Sequence, residues 1–376
     1  MLSRSIRVVM LLGTLAGATT LASAQEKGKG WSVPKCREIS GTAAVTYTKD
    51  DGATLTPTKL TLRGTRYTLG VATSDKANTL WAVQDRTLLR STSAGCRWDA
   101  VAYVEVPSGS DGFALTLTAG RGDRAWAWAD GRPDLSRVDG TTVTPIKVPG
   151  NVVGVGTDAV DGDRVRVGDD AGRIWESTDG GLSWAPVSTS GFGDAIVYRA
   201  AFDPANLDHV LFGVTNQGVA LTFDGGRTWE KVASISPTFG PVNVFNVVVS
   251  PADGNVVYAQ GVDLDESDAG APNNGRHIWR SVDGGLSWSS VAEEDGVNGF
   301  FMPNGSVMAA HPSNADVLYW LFGTPSFDYG TDVYKVDVSA GAPTKTHNGY
   351  DKMSAIAFHP GDPSILYLGV DSEQGF

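Results

Sequence analysis

One short pattern, Ser/Thr-x-Asp-Gly-Gly-x-Ser/Thr-Trp, occurs three times almost unchanged in this chain, at 177–184, 222–229 and 281–288. The aspartate can accept backbone N–H groups across a tight turn, and the two glycines supply positive φ. The tryptophan begins a return strand and covers the hairpin with a large apolar face. The pattern therefore predicts three strand–turn–strand hairpins. Their aspartates and tryptophans are Asp179, Asp224, Asp283, Trp184, Trp229 and Trp288.

Fainter copies of the pattern appear between and beyond these three. One copy runs over 91–98, where Ser93 stands in place of the aspartate and Trp98 is kept. Asp139 begins a shortened copy, and 335–337 begins another that then loses the pattern. A further copy near the start aligns Asp50 with the aspartate and has Leu in place of Trp. The hairpin is therefore a repeated unit, which is typical of propellers and solenoids.

A second landmark precedes the hairpins, in the form of apolar strands that end before a proline. These prolines are Pro204, Pro251, Pro312 and Pro360, and each is followed by a few polar residues and a second apolar strand. One repeat unit is therefore strand a, a proline turn, strand b, a loop, strand c, the Asp-Gly turn and strand d. Four antiparallel strands at a period of roughly 40–50 residues are typical of a propeller blade.

Strand a begins near Tyr67, Phe113, Val152, Ile196, Val244, Val307 and Ala355, which makes seven units. The last unit stops after strands a and b, whereas the first hairpin, at about 42–62, has no strands a and b of its own. These halves complete each other. We therefore predict an all-β fold, a seven-bladed β-propeller of four-stranded antiparallel blades whose last blade is closed by the N-terminal hairpin.

The first 24 residues have the pattern of a secretory signal. Arg4 and Arg7 precede a short apolar stretch, and Ala22-Ser23-Ala24 has the small-x-small pattern of a cleavage site. The alternative is an N-terminal helix of the domain itself. The prediction is a signal peptide at 1–24, a single propeller domain at 25–376, and a secreted or periplasmic protein.

Charge and cysteine content narrow the function. The net charge is -12, which argues against nucleic acid and anionic membranes as partners, because both require fields of Lys and Arg. The two cysteines, Cys36 and Cys96, are expected to pair in an oxidising compartment, and two free thiols are the alternative. We expect the bridge to tie the N-terminal hairpin to the first complete unit and to take over some of the stabilisation lost where Ser93 replaces Asp.

The repeated pattern resembles the Asp-box, or BNR, repeats of sialidase-type propellers. The resemblance covers the chain from residue 25 at the level of blades, and it implies that the Asp-Gly turns lie on the outer c–d connections, away from any site. Such repeats occur in sialidases, xyloglucan-active glycosidases, sortilin-type receptors and photosystem assembly factors, so the resemblance is informative about fold rather than activity.

Export, seven units, an acidic chain and one cysteine pair also resemble the exported propellers of the dispase autolysis-inducing protein family of actinomycetes. No short motif carries this second resemblance. It implies a protein-binding module whose partner is a secreted protease. The alternative function is a glycoside hydrolase of sialidase or xyloglucanase type, with a carbohydrate ligand.

The b–c and d–a loops of a propeller converge on one face, and the long loops here belong to neighbouring units. Acids and aromatics gather in them, which suits a partner surface, although solvated loops with small apolar clusters are the alternative. The candidate binding residues are Asp263, Asp265, Glu266, Asp268, Glu293, Glu294, Phe300, Phe301, Phe327 and Tyr329.

Catalytic and metal motifs are weak. The run from Asp263 to Asp268 could hold Ca²⁺, but it lacks the ligand spacing of an EF-hand, so we predict no cofactor and no metal. The five histidines are scattered without a metalloprotease spacing, and the Arg-Ile-Pro signature of sialidases is absent. A carboxylate pair drawn from the long loops could serve a glycosidase, but no pattern selects one, so we assign no catalytic residue.

Overall fold

A computed structural model describes residues 28–42, 45–58, 64–66, 68–104, 115–188, 192–232, 235, 240–324, 330–349 and 352–374. Within these ranges the protein is built of 28 β-strands and one short helix, α1 (Leu264–Asp268). The expectation of an all-β protein is therefore confirmed. Residues 1–24, the predicted signal, lie outside the described ranges, as do Phe327 and Tyr329.

Most strands pair antiparallel with their neighbours in the chain, and the described strands form six sheets. Three of the sheets contain one unit each. The first consists of β15 (Val197–Asp203), β16 (Asn206–Val214), β17 (Gly218–Thr222) and β18 (Glu230–Val232), and the second of β19 (Val242–Val249), β20 (Val257–Asp263), β21 (Arg276–Ser281) and β22 (Ser289–Glu293). The third consists of β23 (Met308–Ala310), β24 (Val317–Thr324), β25 (Gly330–Asp337) and β26 (Thr344–Asn348).

Two more units share one seven-stranded sheet because a single long strand belongs to both. The strands are β8 (Leu115–Ala119), β9 (Arg124–Ala129), β10 (Arg132–Asp139), β11 (Thr142–Thr157), β12 (Val165–Asp169), β13 (Ile174–Ser177) and β14 (Ala185–Ser188). The first part of β11 pairs with β10 and its second part pairs with β12. One strand therefore ends one unit and begins the next without a loop.

The N-terminal segment is attached at two places. A sheet of β4 (Thr68–Thr73), β5 (Leu80–Gln84), β6 (Thr87–Ser91) and β7 (Arg97–Tyr103) is extended by the short β1 (Ser40–Gly41), which pairs in parallel with β7. In the last sheet, β2 (Val45–Thr48) pairs with β28 (Leu366–Gln374), the partner of β27 (Lys352–Phe358). The expected pairing of the N-terminal hairpin with the last unit is confirmed. A further strand, β3 (Gly64–Arg66), pairs with the end of β28.

The core lies between neighbouring sheets. Apolar side chains of one sheet pack on the next, as where Phe202 and Phe212 pack with Val153 and Ile174 of the preceding unit. The first strands of successive units also contact one another in a cycle. These contacts join β4 to β8, β8 to β11, β11 to β15, β15 to β19, β19 to β23, β23 to β27 and β27 to β4.

The Asp-Gly-Gly turns, which join strands c and d, form as the pattern predicts. In the turn at 177–184, Asp179 Oδ1 accepts the Ser183 N–H at 2.9 Å and Asp179 Oδ2 accepts the Ser183 hydroxyl at 2.5 Å. Gly180 and Gly181 have φ of 71° and 87°, and Gly181 donates to the Ser177 hydroxyl at 2.8 Å. The same bonds recur at Asp50, Asp224 and Asp283.

Two members of the predicted turn set differ from expectation. Asp139 does not bridge its own turn, because its carboxylate accepts from Arg124 Nε at 2.7 Å and Arg137 Nε at 2.8 Å. The one-residue-shorter loop closes as a tight hairpin and leaves no N–H for the carboxylate to span. Ser93 does carry the aspartate's main-chain role, since its hydroxyl accepts the Arg97 N–H at 3.0 Å. Ser93 therefore keeps one of the two bonds that an aspartate makes across the turn, and the stabilisation expected from the disulfide stays a prediction.

Candidate functional site

The loop-rich sector lies where the units of β19–β22 and β23–β26 meet, on the face formed by the b–c and d–a connections. We call this the loop face, and we call the opposite face, which carries the a–b and c–d turns, the turn face. Two segments build the sector. They are the insertion at 263–275, between β20 and β21, and the link at 293–303, which leads from β22 towards β23.

The insertion is more ordered than the sequence suggested. Asp263, expected as an exposed acid of a binding loop, is fully buried. Its carboxylate accepts the Glu266 N–H at 3.1 Å and begins α1, while its own N–H donates to Gly275 O at 2.7 Å. A Cβ on Gly275, whose φ is 67°, would lie 2.1 Å from Asp263 O. Asp263 therefore closes the insertion and is not available to a partner, whereas Asp265 and Asp268 are exposed.

His277 joins two of the candidate acids. Its side chain is buried, with Nε2 at 2.8 Å from Glu266 Oε2 and Nδ1 at 3.1 Å from the Ser290 hydroxyl. Glu293 Oε1 lies 3.7 Å from Nδ1. Asn273 Nδ2 donates to Glu266 at 3.2 Å and to Glu293 at 3.3 Å. The structure thus brings Glu266 and Glu293 together around a histidine to which the sequence assigned no role in the site.

Glu294 fastens the link to the insertion. Its carboxylate accepts the Met302 N–H at 3.0 Å and the Asn274 side-chain amide at 2.9 Å. Arg276 Nε lies 3.7 Å from Glu294 Oε2, and Arg276 Nη1 donates to Met302 O at 2.8 Å. Arg276 was not among the predicted residues, because an arginine at the start of a strand resembles any other surface arginine in the sequence.

The two described aromatics of the link are half-buried in small apolar contacts. The Phe300 ring lies 5.5 Å from that of Tyr334, and the Phe301 ring lies 5.0 Å from that of Phe322. The Phe301 N–H donates to the Tyr334 hydroxyl at 3.1 Å. Both rings thus pack against strands of the next unit. The small apolar clusters that were the alternative to a partner surface are therefore present at these two residues.

Two cavities open in this sector and share Glu294 in their walls. The first has a volume of about 470 Å³ and is bounded by the insertion, the link and Phe322. The second has a volume of about 770 Å³ and lies between the link, the last part of the insertion at 271–273 and the turn at Ala342 and Pro343. Among the described residues, no group of three or more His, Cys, Asp or Glu side chains is placed to hold a metal ion.

A second polar group on the loop face includes a carboxylate pair that the sequence did not select. Asp130 follows β9 and Asp170 follows β12, so both stand at the same ends of neighbouring units. Arg199 Nη1 lies 3.9 Å from Asp130 Oδ1, and its guanidinium lies over the Trp128 ring. Burial and the negative charge of Asp170 raise the pKa of Asp130, against the lowering effect of Arg199.

The cysteines form a disulfide, Cys36–Cys96, with Cα atoms 5.5 Å apart, as predicted. The four predicted tryptophans lie beside their turns, and Trp98, next to the bridge, is fully buried.

None of the helices among the described residues is long and apolar enough to cross a membrane.

Comparisons with solved structures show the fold. YCF48 bound to a D1 peptide aligns with 90% of this chain and 99% of its own, with 13% identity and a TM-score of 0.56. The GH74 enzyme of Niastella koreensis aligns with 82% of this chain and 52% of its own, with 17% identity and a TM-score of 0.58. The chain is therefore a β-propeller of the kind found in both.

Comparison with curated sequences is more specific, although no protein-family model matches the chain. A xyloglucanase of a Paenibacillus species is 27% identical over 56% of this chain and 23% of its own length. The dispase autolysis-inducing protein of Streptomyces mobaraensis is 44% identical over 96% of this chain and 95% of its own. Because the identity is high and extends over nearly all of both proteins, this chain belongs to the family of the dispase autolysis-inducing protein.

Proposed function

We propose that the protein is an exported binding propeller that engages an extracellular protease through its loop face and promotes autolysis of that protease. The observation that carries the proposal is the 44% identity to a protein named for inducing autolysis of dispase, a likeness that extends over 96% of this chain. The disulfide and the acidic charge are in keeping with a protein that works outside the cell.

The proposed architecture is a ring of seven blades closed by the N-terminal hairpin. Three observations support it: the cyclic contacts among first strands, the shared strand β11, and the pairing of β2 with β28. A closed ring leaves no open sheet edge, so it gives a rigid platform on which loops can be displayed. Residues 1–24 are the proposed export signal, and 25–376 the mature domain.

The loop-rich sector is the proposed contact surface. It combines exposed carboxylates at Asp265 and Asp268 with two neighbouring cavities, whereas the repeated turns use their carboxylates for their own N–H groups. Carboxylates that are not used inside the fold remain available to a partner. YCF48, which has the same fold, is bound to a peptide in its solved structure, so a propeller of this kind can present a peptide-binding surface.

The test is an autolysis assay with dispase. Purified mature protein is mixed with dispase, and the amount of intact protease is followed on denaturing gels against dispase alone. We expect faster loss of the protease. We also expect a complex to form on a sensor chip that carries inhibited protease. An unchanged rate of loss at saturating protein would refute the proposal.

Matched variants locate the surface. Asp265→Lys with Asp268→Lys changes two exposed acids of the loop face, and Leu182→Lys with Val282→Lys changes two exposed side chains of the Asp-Gly-Gly turns. The loop-face variant should slow autolysis several-fold, whereas the turn-face variant should act like the wild type. The opposite result would move the contact surface to the other face.

A glycoside hydrolase is the second candidate, favoured by the xyloglucanase match and by the Asp130–Asp170 pair. A carboxyl group of raised pKa beside a second carboxylate is the arrangement a glycosidase needs for its general acid. Release of reducing ends from xyloglucan would support this function if it disappeared in Asp130→Asn. No release at enzyme concentrations that suffice for a xyloglucanase would exclude it.

A further inference from the structure

We propose that the two cavities of the loop-rich sector, which share Glu294 in their walls, are a docking site for one extended peptide segment that carries an apolar side chain next to a lysine or arginine. This inference rests on the proposed function, since it states which part of a protein partner the loop face takes up. It assigns a different role to each cavity.

The first cavity fits the apolar side chain. Its walls combine four apolar residues, Val262, Phe301, Pro303 and Phe322, with the polar residues Ser267, Asn274, Arg276 and Glu294. At about 470 Å³ it lies within the range of roughly 300–1,000 Å³ that is common for ligand pockets, which is enough for a Leu or Phe side chain and its flanking backbone. The Phe301 and Phe322 rings support each other at 5.0 Å, so this wall is formed before a ligand arrives.

Arg276 is placed to hold the backbone of the segment. It lines the first cavity, its side chain is 26% exposed, and Nη1 is fixed by Met302 O. Within the described residues, Nη2 of Arg276 makes no hydrogen bond. A guanidinium that is held on one edge and open on the other can donate to a peptide carbonyl without losing further side-chain freedom.

The second cavity fits the basic side chain. Its lining is largely apolar and includes Phe300 and Val297, with carboxylates at Glu293, whose side chain is 55% exposed, and at Glu294, which belongs to both cavities. The basic side chain of the neighbouring residue in the segment would therefore lie close to the carboxylates of Glu293 and Glu294. Val297, at the rim of the second cavity, is 95% exposed, more than any other large apolar side chain in the described part of the chain. Carboxylates around such a cavity would attract a basic segment by charge complementarity.

The experiment uses three labelled heptapeptides. The first is Gly-Ser-Phe-Lys-Ser-Gly-Gly, the second has Glu in place of Lys, and the third has Ser in place of Phe. Fluorescence anisotropy measures their binding to the mature wild-type protein at low salt. We expect the Phe-Lys peptide to bind at least fivefold more tightly than either of the others, and its affinity to fall as salt is raised. Equal affinity of the three peptides would overturn the proposal.

Variants with little risk to folding test whether the peptide occupies the second cavity, which Val297 and Glu293 both line. Val297→Ser and Glu293→Gln should each weaken the Phe-Lys peptide at least threefold. The matched controls Val160→Ser, at another exposed valine, and Glu230→Gln, at another exposed glutamate, should bind as the wild type does. Melting temperatures within a degree or two of the wild type show that all four are folded. Unchanged binding by both cavity variants would overturn the proposal.

The dispase assay separates this inference from the proposed function. If the wild type and both cavity variants accelerate autolysis equally, the protease uses another surface, and the docking site is wrong while the function stands. If the wild type does not accelerate autolysis at all, the proposed function is wrong. Selective binding of the Phe-Lys peptide that is lost in the cavity variants would still support the docking site in that case.

Discussion

The turn after β17 and the turn after β6 occupy the same place in their units but are held together differently. In the first, Asp224 accepts both the N–H and the hydroxyl of Thr228, at 2.9 and 2.7 Å. In the second, Ser93 accepts only the Arg97 N–H, at 3.0 Å, because an arginine replaces the hydroxyl residue and the serine has one oxygen. Both turns keep a glycine N–H bond to the preceding hydroxyl, from Gly226 to Thr222 and from Gly95 to Ser91, but the second has one bond fewer between the acceptor residue and the residue before the tryptophan.

The second turn gains its other contacts from the N-terminal segment and the last unit. Cys96 is bridged to Cys36, β1 pairs with β7 beside Trp98, and the Tyr367 hydroxyl of β28 donates to Ala94 O at 3.0 Å. The comparison teaches that a carboxylate secures its turn from within, both at Asp224 and at Asp50 of the N-terminal hairpin, whereas the turn at Ser93 also has support from other segments. Where the two ends of the chain meet, a covalent bond and added strand pairing secure the hairpin.

The largest effect is expected from removing the N-terminal attachment. A protein without residues 25–62 loses β1, β2 and the disulfide, and it exposes the edge of β28. We expect loss of cooperative thermal unfolding, measured by circular dichroism, together with aggregation. A shortened protein that melted cooperatively at the wild-type temperature would contradict a stabilising role of the N-terminal attachment.

The disulfide by itself should have the next largest effect. The double variant Cys36→Ser, Cys96→Ser frees a loop of 60 residues, which by the chain-entropy estimate costs about 4 kcal/mol. Denaturant unfolding measures this loss, and a reducing agent should lower the stability of the wild type but not that of the variant. An unchanged free energy of unfolding would show that strand pairing alone holds this turn.

Replacing the acceptors compares the two turns directly. Asp224→Ala removes three hydrogen bonds of the carboxylate, and Ser93→Ala removes fewer. Asp224→Ala should therefore lower the melting temperature more. Both variants should retain whatever activity the wild type has towards dispase, because the turns lie away from the loop face. Equal melting temperatures would mean that the carboxylate adds nothing beyond a single acceptor.

The smallest effect is a dependence on pH. The Ser183 hydroxyl, the Ser183 N–H and the Ser177 hydroxyl lower the pKa of Asp179 to about 2. Because the folded pKa is below the unfolded value of 3.8, this stabilisation is present above about pH 4 and is lost as the pH falls towards 2. The deficit in melting temperature of Asp179→Asn relative to the wild type should therefore shrink over that interval. A constant deficit from pH 6 to 2 would contradict it.

The expected positions of strand a agree with the structure to within a few residues, from β4 through β27. The pairing of β2 with β28 was also predictable, because the first hairpin lacks strands a and b and the last unit lacks strands c and d. The cysteine bridge was predictable because the chain has two cysteines and a secretory signal pattern. Prediction was poorer in the long loops. Asp263 was expected at the surface and is buried, and Asp139 binds two arginines instead of its own turn.

The sequence by itself determined the hairpins, the repeat and the order of the strands, because each is settled within about ten residues. A carboxylate, two glycines able to adopt positive φ and an apolar face decide such a turn wherever it occurs. Only the tertiary structure decided that Glu266 and Glu293 meet at His277, and that Arg276 and Phe322 border one cavity. These contacts depend on which units stand side by side and how their loops fold over one another, and no local pattern records that.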